Sequence, residues 1–157
     1  MTRIEISEED LMHRIEMHKM WLIDPNEGCR LDLTDNVVRS TAIQFKDLSK
    51  AILYNTKFEN VDLSGTKFKG AFCNEAEFIN CNAAGASFEE ASLIKATIDF
   101  KTGGLMLNLT NADLTDAKYN ENLLDGAIIS VVKNTDERIA SALESIADSL
   151  KRLAIHS

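Results

Sequence analysis

A beat of five runs through this chain and limits what it can fold into. From Leu33 to Ile98 nearly every fifth residue is large and apolar: Leu33, Val38, Ile43, Leu48, Leu53, Phe58, Leu63, Phe68, Phe78, Phe88, Leu93 and Ile98. The residue two before each is usually small, as at Ala51, Thr56, Thr66, Ala71, Ala76, Ala86, Ala91 and Ala96. The beat resumes one residue out of phase at Leu109, Leu114, Tyr119, Leu124 and Ile129. A helix repeats its faces every 3.6 residues and a strand every 2, so neither sustains a period of five. A repeating turn does, and repeating turns stack into a solenoid.

The clearest copies of the turn are Asn60-Val61-Asp62-Leu63-Ser64-Gly65 and Asn111-Ala112-Asp113-Leu114-Thr115. They resemble the pentapeptide repeat family, whose consensus is Ala, Asp or Asn, Leu and two free positions. The resemblance covers residues 29–130. It implies an all-β solenoid, a right-handed quadrilateral β-helix with four pentapeptides per coil. It also implies that the large residue and the small one two before it point inward. The Asp or Asn stands at Asp32, Asp47, Asp62, Asn82 and Asp113 among the clearer repeats.

Residue volumes support four repeats per coil independently. At that period one column reads Val38, Phe58, Phe78, Ile98, Tyr119, and the opposite one Leu48, Phe68, Phe88, Leu109, Ile129. The intervening columns are thinner: Leu33, Leu53, Cys73, Leu93, Leu114, and Ile43, Leu63, Ala83, Gly104, Leu124. About five coils, each rising by roughly one strand spacing, make a rod near 24 Å long. Two positions break the pattern. Lys46 falls on an inward beat, where a local bulge would turn it out. The frame slips at Phe100-Lys101-Thr102-Gly103-Gly104. That bulge reads as a tolerated insertion or as a recognition loop, with Phe100 exposed or folded back.

Helices flank the repeat. Residues 1–28 read as an amphipathic helix and a turn. Ser7 is its N-cap, Leu11, Ile15, His18 and Leu22 form its apolar face, and Pro25 and Gly28 end it. Its job would be to cap the open end of the solenoid. Residues 131–157 read as a second amphipathic helix, with a capping-box-like start at Asn134 and Glu137. Ile139, Leu143, Ile146, Leu150 and Leu153 are spaced 4-3-4-3, a heptad seam. That seam either packs across the end of the rod or joins copies of the chain. In a parallel bundle it would put Leu at a and Ile at d, an arrangement favouring more than two strands.

Little in the chain points to chemistry. His13, His18 and His156 all lie outside the repeat, so no Ser-His-Asp or Cys-His set can be built on the rod. No phosphate loop or dinucleotide fingerprint appears. Cys29, Cys73 and Cys81 lack zinc spacing and read as buried free thiols. These observations predict no catalytic residue, no metal and no cofactor. No apolar run approaches the roughly 18 residues of a membrane helix. With a charged N-terminus, the chain is expected in the cytoplasm or in a larger particle assembled there.

Net charge is −8, which disfavours direct nucleic-acid binding. Two functions are then open. In one, the rod is a rigid structural or protein-interaction module, homo-oligomeric through its C-terminal helix, with a protein partner the sequence does not name. In the other, it is an acidic DNA mimic. The resemblance supplies that second reading, since the best-known members of the family bind DNA gyrase as acidic dimeric rods. Duplex DNA of 24 Å carries about 14 charges, whereas residues 29–129 hold 14 acidic and 10 basic residues. The acids collect on the Leu33–Leu114 face as Asp32, Asp35, Glu75, Asp113 and Asp116, against Lys95. That stripe and Phe100 are the candidate partner surface.

Overall fold

A computed structural model describes residues 2–129 and 137–155 of the chain, with side chains in the last helix described from 143 to 154. Its order is β1 (Ile4–Glu5), α1 (Glu8–Ile23), β2 (Asn36–Arg39), β3 (Lys57–Glu59), β4 (Glu77–Cys81), β5 (Thr97–Phe100), β6 (Lys118–Tyr119), a 3-10 turn (Glu121–Leu124) and α2 (Glu137–Ile155). The strands form one parallel sheet in sequence order. A second ladder runs Asp32, Ile52, Phe72, Ser92, Asp113 and counts four full turns of a parallel β-solenoid. The chain continues part-way round a fifth coil to Ile129, where Asn108 pairs with Ile128.

Each five-residue repeat is one side and one corner of the coil. At three of the four corners the amide three residues after the inward residue donates to its carbonyl, as in Asn36 N–H to Leu33 O, Thr66 N–H to Leu63 O and Ala71 N–H to Phe68 O. The third residue of each such turn has positive φ, for example Asp35, Lys50, Gly65 and Glu75. Those are type II turns. On the Val38 column the strands run through the fourth corner instead, so β2 to β5 form there.

The Asp or Asn before the inward residue has a specific task. Asp32, Asp47, Asp62, Asn82, Asn108 and Asp113 each accept the amide two residues on, at 2.9–3.2 Å. This side-chain turn holds the corner. The small inward positions are also satisfied. Thr56 and Thr66, both fully buried, donate to carbonyls of the preceding coil, Leu33 O at 2.8 Å and Ile43 O at 2.9 Å.

The core is the column pattern made solid. Phe58 stacks on Phe78 at 5.2 Å and Phe68 on Phe88 at 4.5 Å, while rings from the two columns meet edge to face at 5.4–6.5 Å. Edge-to-face and offset contacts at these distances are favourable beyond the area they bury.

The frame slip does not leave Phe100 at the surface. Phe100 pairs with Cys81 and is 4% exposed, its ring 5.7 Å from Phe78 and 6.0 Å from Phe88. Ala83 and Gly104 supply little volume to the core here, and Phe100 and Leu107 turn in at positions that are small elsewhere. After the slip the coil spacing is 21 residues, as in Ser87 with Asn108 and Ile98 with Tyr119. In the last coil the 3-10 turn buries Leu123 and leaves Leu124 half-buried. Lys46 is exposed without any bulge, since Asp47 keeps regular register with Lys67.

The N-terminal end is closed twice. β1, which no pattern in the sequence marks, adds to the edge of β2. α1 starts as expected, Ser7 Oγ accepting from Asp10 N–H, and buries Leu11, Ile15 and His18. Its return to the rod needs Gly28, which has φ of +70° and whose Cβ would lie 2.1 Å from Met17 O. The start of α2 at Asn134 lies outside the described residues, as does the side chain of Ile139. Leu143 packs on the core, and Ile146, Leu150 and Leu153 are exposed.

His18 fastens α1 to the rod. Leu31 N–H donates to its Nδ1 at 2.9 Å, so Nε2 carries the proton and donates to Ser49 O at 3.0 Å. Burial lowers its pKa; the Ser49 bond and Asp47 oppose this, and Arg30 adds to it. The unfolded chain therefore takes the proton first. This contribution to stability is complete above about pH 6.5 and is lost as pH falls toward the depressed folded value. Wild type should lose melting temperature on acidification below pH 6.5 more steeply than His18→Gln; parallel curves would contradict the neutral, two-bond histidine.

Candidate interaction surface

The rod offers its outward positions, and the acidic stripe is the first to consider. The Leu33–Leu114 column does carry Asp32, Asp35, Glu75, Asp113 and Asp116 on one face. Three of these five carboxylates, those of Asp32, Asp35 and Asp113, are already engaged. Asp32 and Asp113 hold their own turns at 2.9 and 3.1 Å, and Asp113 also accepts from Thr115 Oγ1 at 2.6 Å. Asp35 accepts from Asn55 Nδ2 at 2.6 Å. The negative charge of Glu75, with burial and the charge of Asp35, raises the Tyr54 phenol above its ordinary pKa. Asp116 lines a polar cleft shared with Arg3, Glu77, Lys95 and Lys118. Phe100 is not part of any surface, because the core has taken it.

Charges on the neighbouring faces are compensated as well. Arg3 donates to Asn55 Oδ1 and Glu77, both at 2.7 Å, with only 19% of its side chain exposed. Arg39 links Glu5 to Glu59, and Lys57 also reaches Glu59 at 2.9 Å, which lowers the Glu59 pKa. Lys69 meets Glu89 at 3.2 Å and Glu90 at 4.0 Å. Exposed pairs of this kind add little stability each. They do flatten the field, so the rod presents alternating charge rather than a wall of one sign.

The sequence did not mark an apolar group in the middle of the acidic face: Ile52, Tyr54 and Phe72, with Arg30 against the Phe72 ring. These residues occupy free positions of the repeat, where periodicity is silent. The signal was there to be read by folding the outward positions into columns as well as the inward ones.

The thiols divide. Burial raises the Cys73 thiol far above its ordinary range and the Cys81 thiol to about 11, so both are inert. Cys29 is exposed, contrary to the expectation for all three, because it lies in the turn before the first inward residue. Among the described residues no group of three or more His, Cys, Asp or Glu is placed to hold a metal ion. No described helix is long and apolar enough to cross a membrane.

The sequence profile described as pentapeptide repeats matches eight copies, over residues 44–70 and 71–100. No curated protein sequence matches the chain. Similar solved structures include a pentapeptide repeat protein of the Arabidopsis thaliana thylakoid lumen, 28% identical with a TM-score of 0.49, the match covering 61% of each chain. Another is a pentapeptide repeat protein from the cyanobacterium Cyanothece 51142, 24% identical with a TM-score of 0.41, covering 67% of this chain and 60% of that one. The full-length plasmid-mediated fluoroquinolone resistance protein QnrB1 is 16% identical with a TM-score of 0.36, covering 78% of this chain and 75% of that one. The chain thus spans about three fifths of the length of the first two. Residues 44–100 carry the pentapeptide repeats that this profile describes, and the corners built on their five-residue period continue to either side of the matched stretch.

Proposed function

We propose that the chain is a non-enzymatic, rigid interaction module that associates with copies of itself through α2 and binds a protein partner on its rod. One observation carries the self-association: the outer seam of α2 is left in water. Leu143 touches the rod, but Ile146 is 36% exposed, Leu150 61% and Leu153 69%. These residues share one stripe of the helix, and a lone helix of this length is marginal without packing. Burying the seam against another copy would hold it.

Light scattering on the full chain should give a multimer that becomes monomeric on Leu150→Asp. Leu150 is the residue to change, because Leu143 also packs on its own rod. A monomeric wild type would sink the self-association.

Gyrase-type DNA mimicry is the weaker reading. It is supported by the elongated rod and the net charge of −8. Against it stand the engaged carboxylates of the stripe and the paired charges on the adjoining faces. If micromolar protein leaves DNA supercoiling by gyrase unchanged, that reading fails.

A further inference from the structure

The acidic face has an apolar centre that the fold itself does not require. Four outward apolar residues gather there: Ile52 and Phe72 stack in ladder register, and Tyr54 and Ile94 lie beyond the inward column with Asn74 in the coil between them. Phe72 is 49% exposed and Tyr54 43%, although the core beneath them is already filled by Leu53, Cys73 and Leu93. Trp21 at the end of α1 extends the patch, because the Arg30 guanidinium lies 5.5 Å from its ring centre and 5.2 Å from that of Phe72. Arg30, Ile52, Tyr54, Phe72 and Asn74 line a shallow cleft of about 350 Å³. Contiguous exposed apolar surface marks binding sites more often than chance. Tryptophan, tyrosine and arginine are the residues that dominate binding energy at interfaces.

The rim decides what fits. Asp35 and Glu75 stand in the coils on either side of the one that carries Tyr54. Asp32 stands at one end of the same face, and Asp113 and Asp116 at the other. Of the cations near this rim, Arg30 is committed to Lys50 O at 2.6 Å and to the two rings, and Arg3 to Glu77 at 2.7 Å, which leaves Lys95 and Lys118 against five carboxylates. An anionic partner would meet repulsion. A purely apolar one would desolvate the carboxylates without compensation. An apolar side chain flanked by cations satisfies both parts: the apolar group covers Phe72 and Tyr54, and the cations lie over the aromatic faces and against the carboxylates.

We propose that the Tyr54–Phe72 patch docks a cationic peptide segment of a partner protein, an aliphatic residue on the two rings with Lys or Arg beside Asp35, Glu75 and Asp116. This rests on the reading of the chain as an interaction module and names the chemistry of its partner.

Trp21 is the chain's one tryptophan, so its emission reports on the patch. The probes are a short synthetic peptide alternating Leu and Lys, its Leu and Glu counterpart, and oligolysine. The Leu and Lys peptide should give a saturable change in Trp21 emission that the other two do not. Phe72→Ser and Tyr54→Ser should each weaken it about tenfold, and Asp35→Asn with Glu75→Gln should do the same and flatten its salt dependence. If the serine variants melt early, the carboxamide pair carries the test. Equal responses to all three peptides, or affinity unchanged in these variants, would overturn the proposal. A partner captured from the native host that still binds Phe72→Ser would overturn the patch while leaving the module intact. Self-association lost on Phe72→Ser would reassign the patch to a second copy and overturn the proposal too.

Discussion

Phe78→Ala is expected to destabilise the chain by about 3–5 kcal/mol, a fall in melting temperature of roughly 6–20 °C for a protein of this size. Phe78 is fully buried and touches more rings than any other core residue. It stacks on Phe58 at 5.2 Å and meets Phe68, Phe88 and Phe100 edge-on at 6.2, 5.4 and 5.7 Å. Truncation removes the transfer free energy of the ring and leaves a cavity. In most cores neighbours relax into such a space. Here each neighbour is tied to its own coil, whose height is fixed by the bonds above and below, such as Glu77 N–H to Thr56 O and Thr97 N–H to Ala76 O, both at 2.9 Å. Collapse would break that ladder, so the upper half of the range is expected. Thermal and denaturant unfolding measure it directly. A loss under 1 kcal/mol would mean the phenylalanine columns are not packed as described.

What the sequence disclosed follows from where its information sits. The inward positions repeat, so every Phe or Leu column is stated several times over, and the four-sided coil could be read from volumes alone. The corner chemistry is equally local, since Asp62 and Asp113 reach only two residues along the chain. β1 was hidden because two residues carry no period; Ile4–Glu5 becomes a strand only because the edge of β2 is there to receive it. His18 read as one more apolar-face residue of α1, and its partners Leu31 and Ser49 meet it only when the helix folds back. Lys46 needed no bulge, because it belongs to the first coil, which has no coil beneath to enclose its inward positions; Thr41 and Asn36 are likewise not fully buried. Asp32 and Asp113 do fall in one ladder along the Leu33–Leu114 column. The weakness of the acidic stripe as a charged surface was not legible, because Asn55 and Thr115 engage its carboxylates across or around a corner.

Phe100→Ala should cost nearly as much as Phe78→Ala, about 3–5 kcal/mol, although it lies in the one segment that breaks the beat. A residue in an exposed recognition loop would cost almost nothing. The missing volume argues for the larger figure. The column of Ile43 and Leu63 falls to Ala83 and then to Gly104, and a close-packed interior does not leave two such gaps empty. Gly104 cannot be enlarged to fill them, since a Cβ there would lie 1.9 Å from Leu123 O. Phe100 enters from one residue earlier, and its ring reaches Phe78 and Phe88. Phe45→Ala is the matched control: it removes the same ring from a residue that is 78% exposed, and should change stability by no more than about 0.5 kcal/mol. If Phe100 and Phe78 share a contact, the double alanine variant should lose less than the sum of the singles, by about 0.5–1.5 kcal/mol. Strict additivity, or a Phe100→Ala as mild as Phe45→Ala, would put Phe100 back at the surface and reopen the segment after Ile98 as a recognition loop.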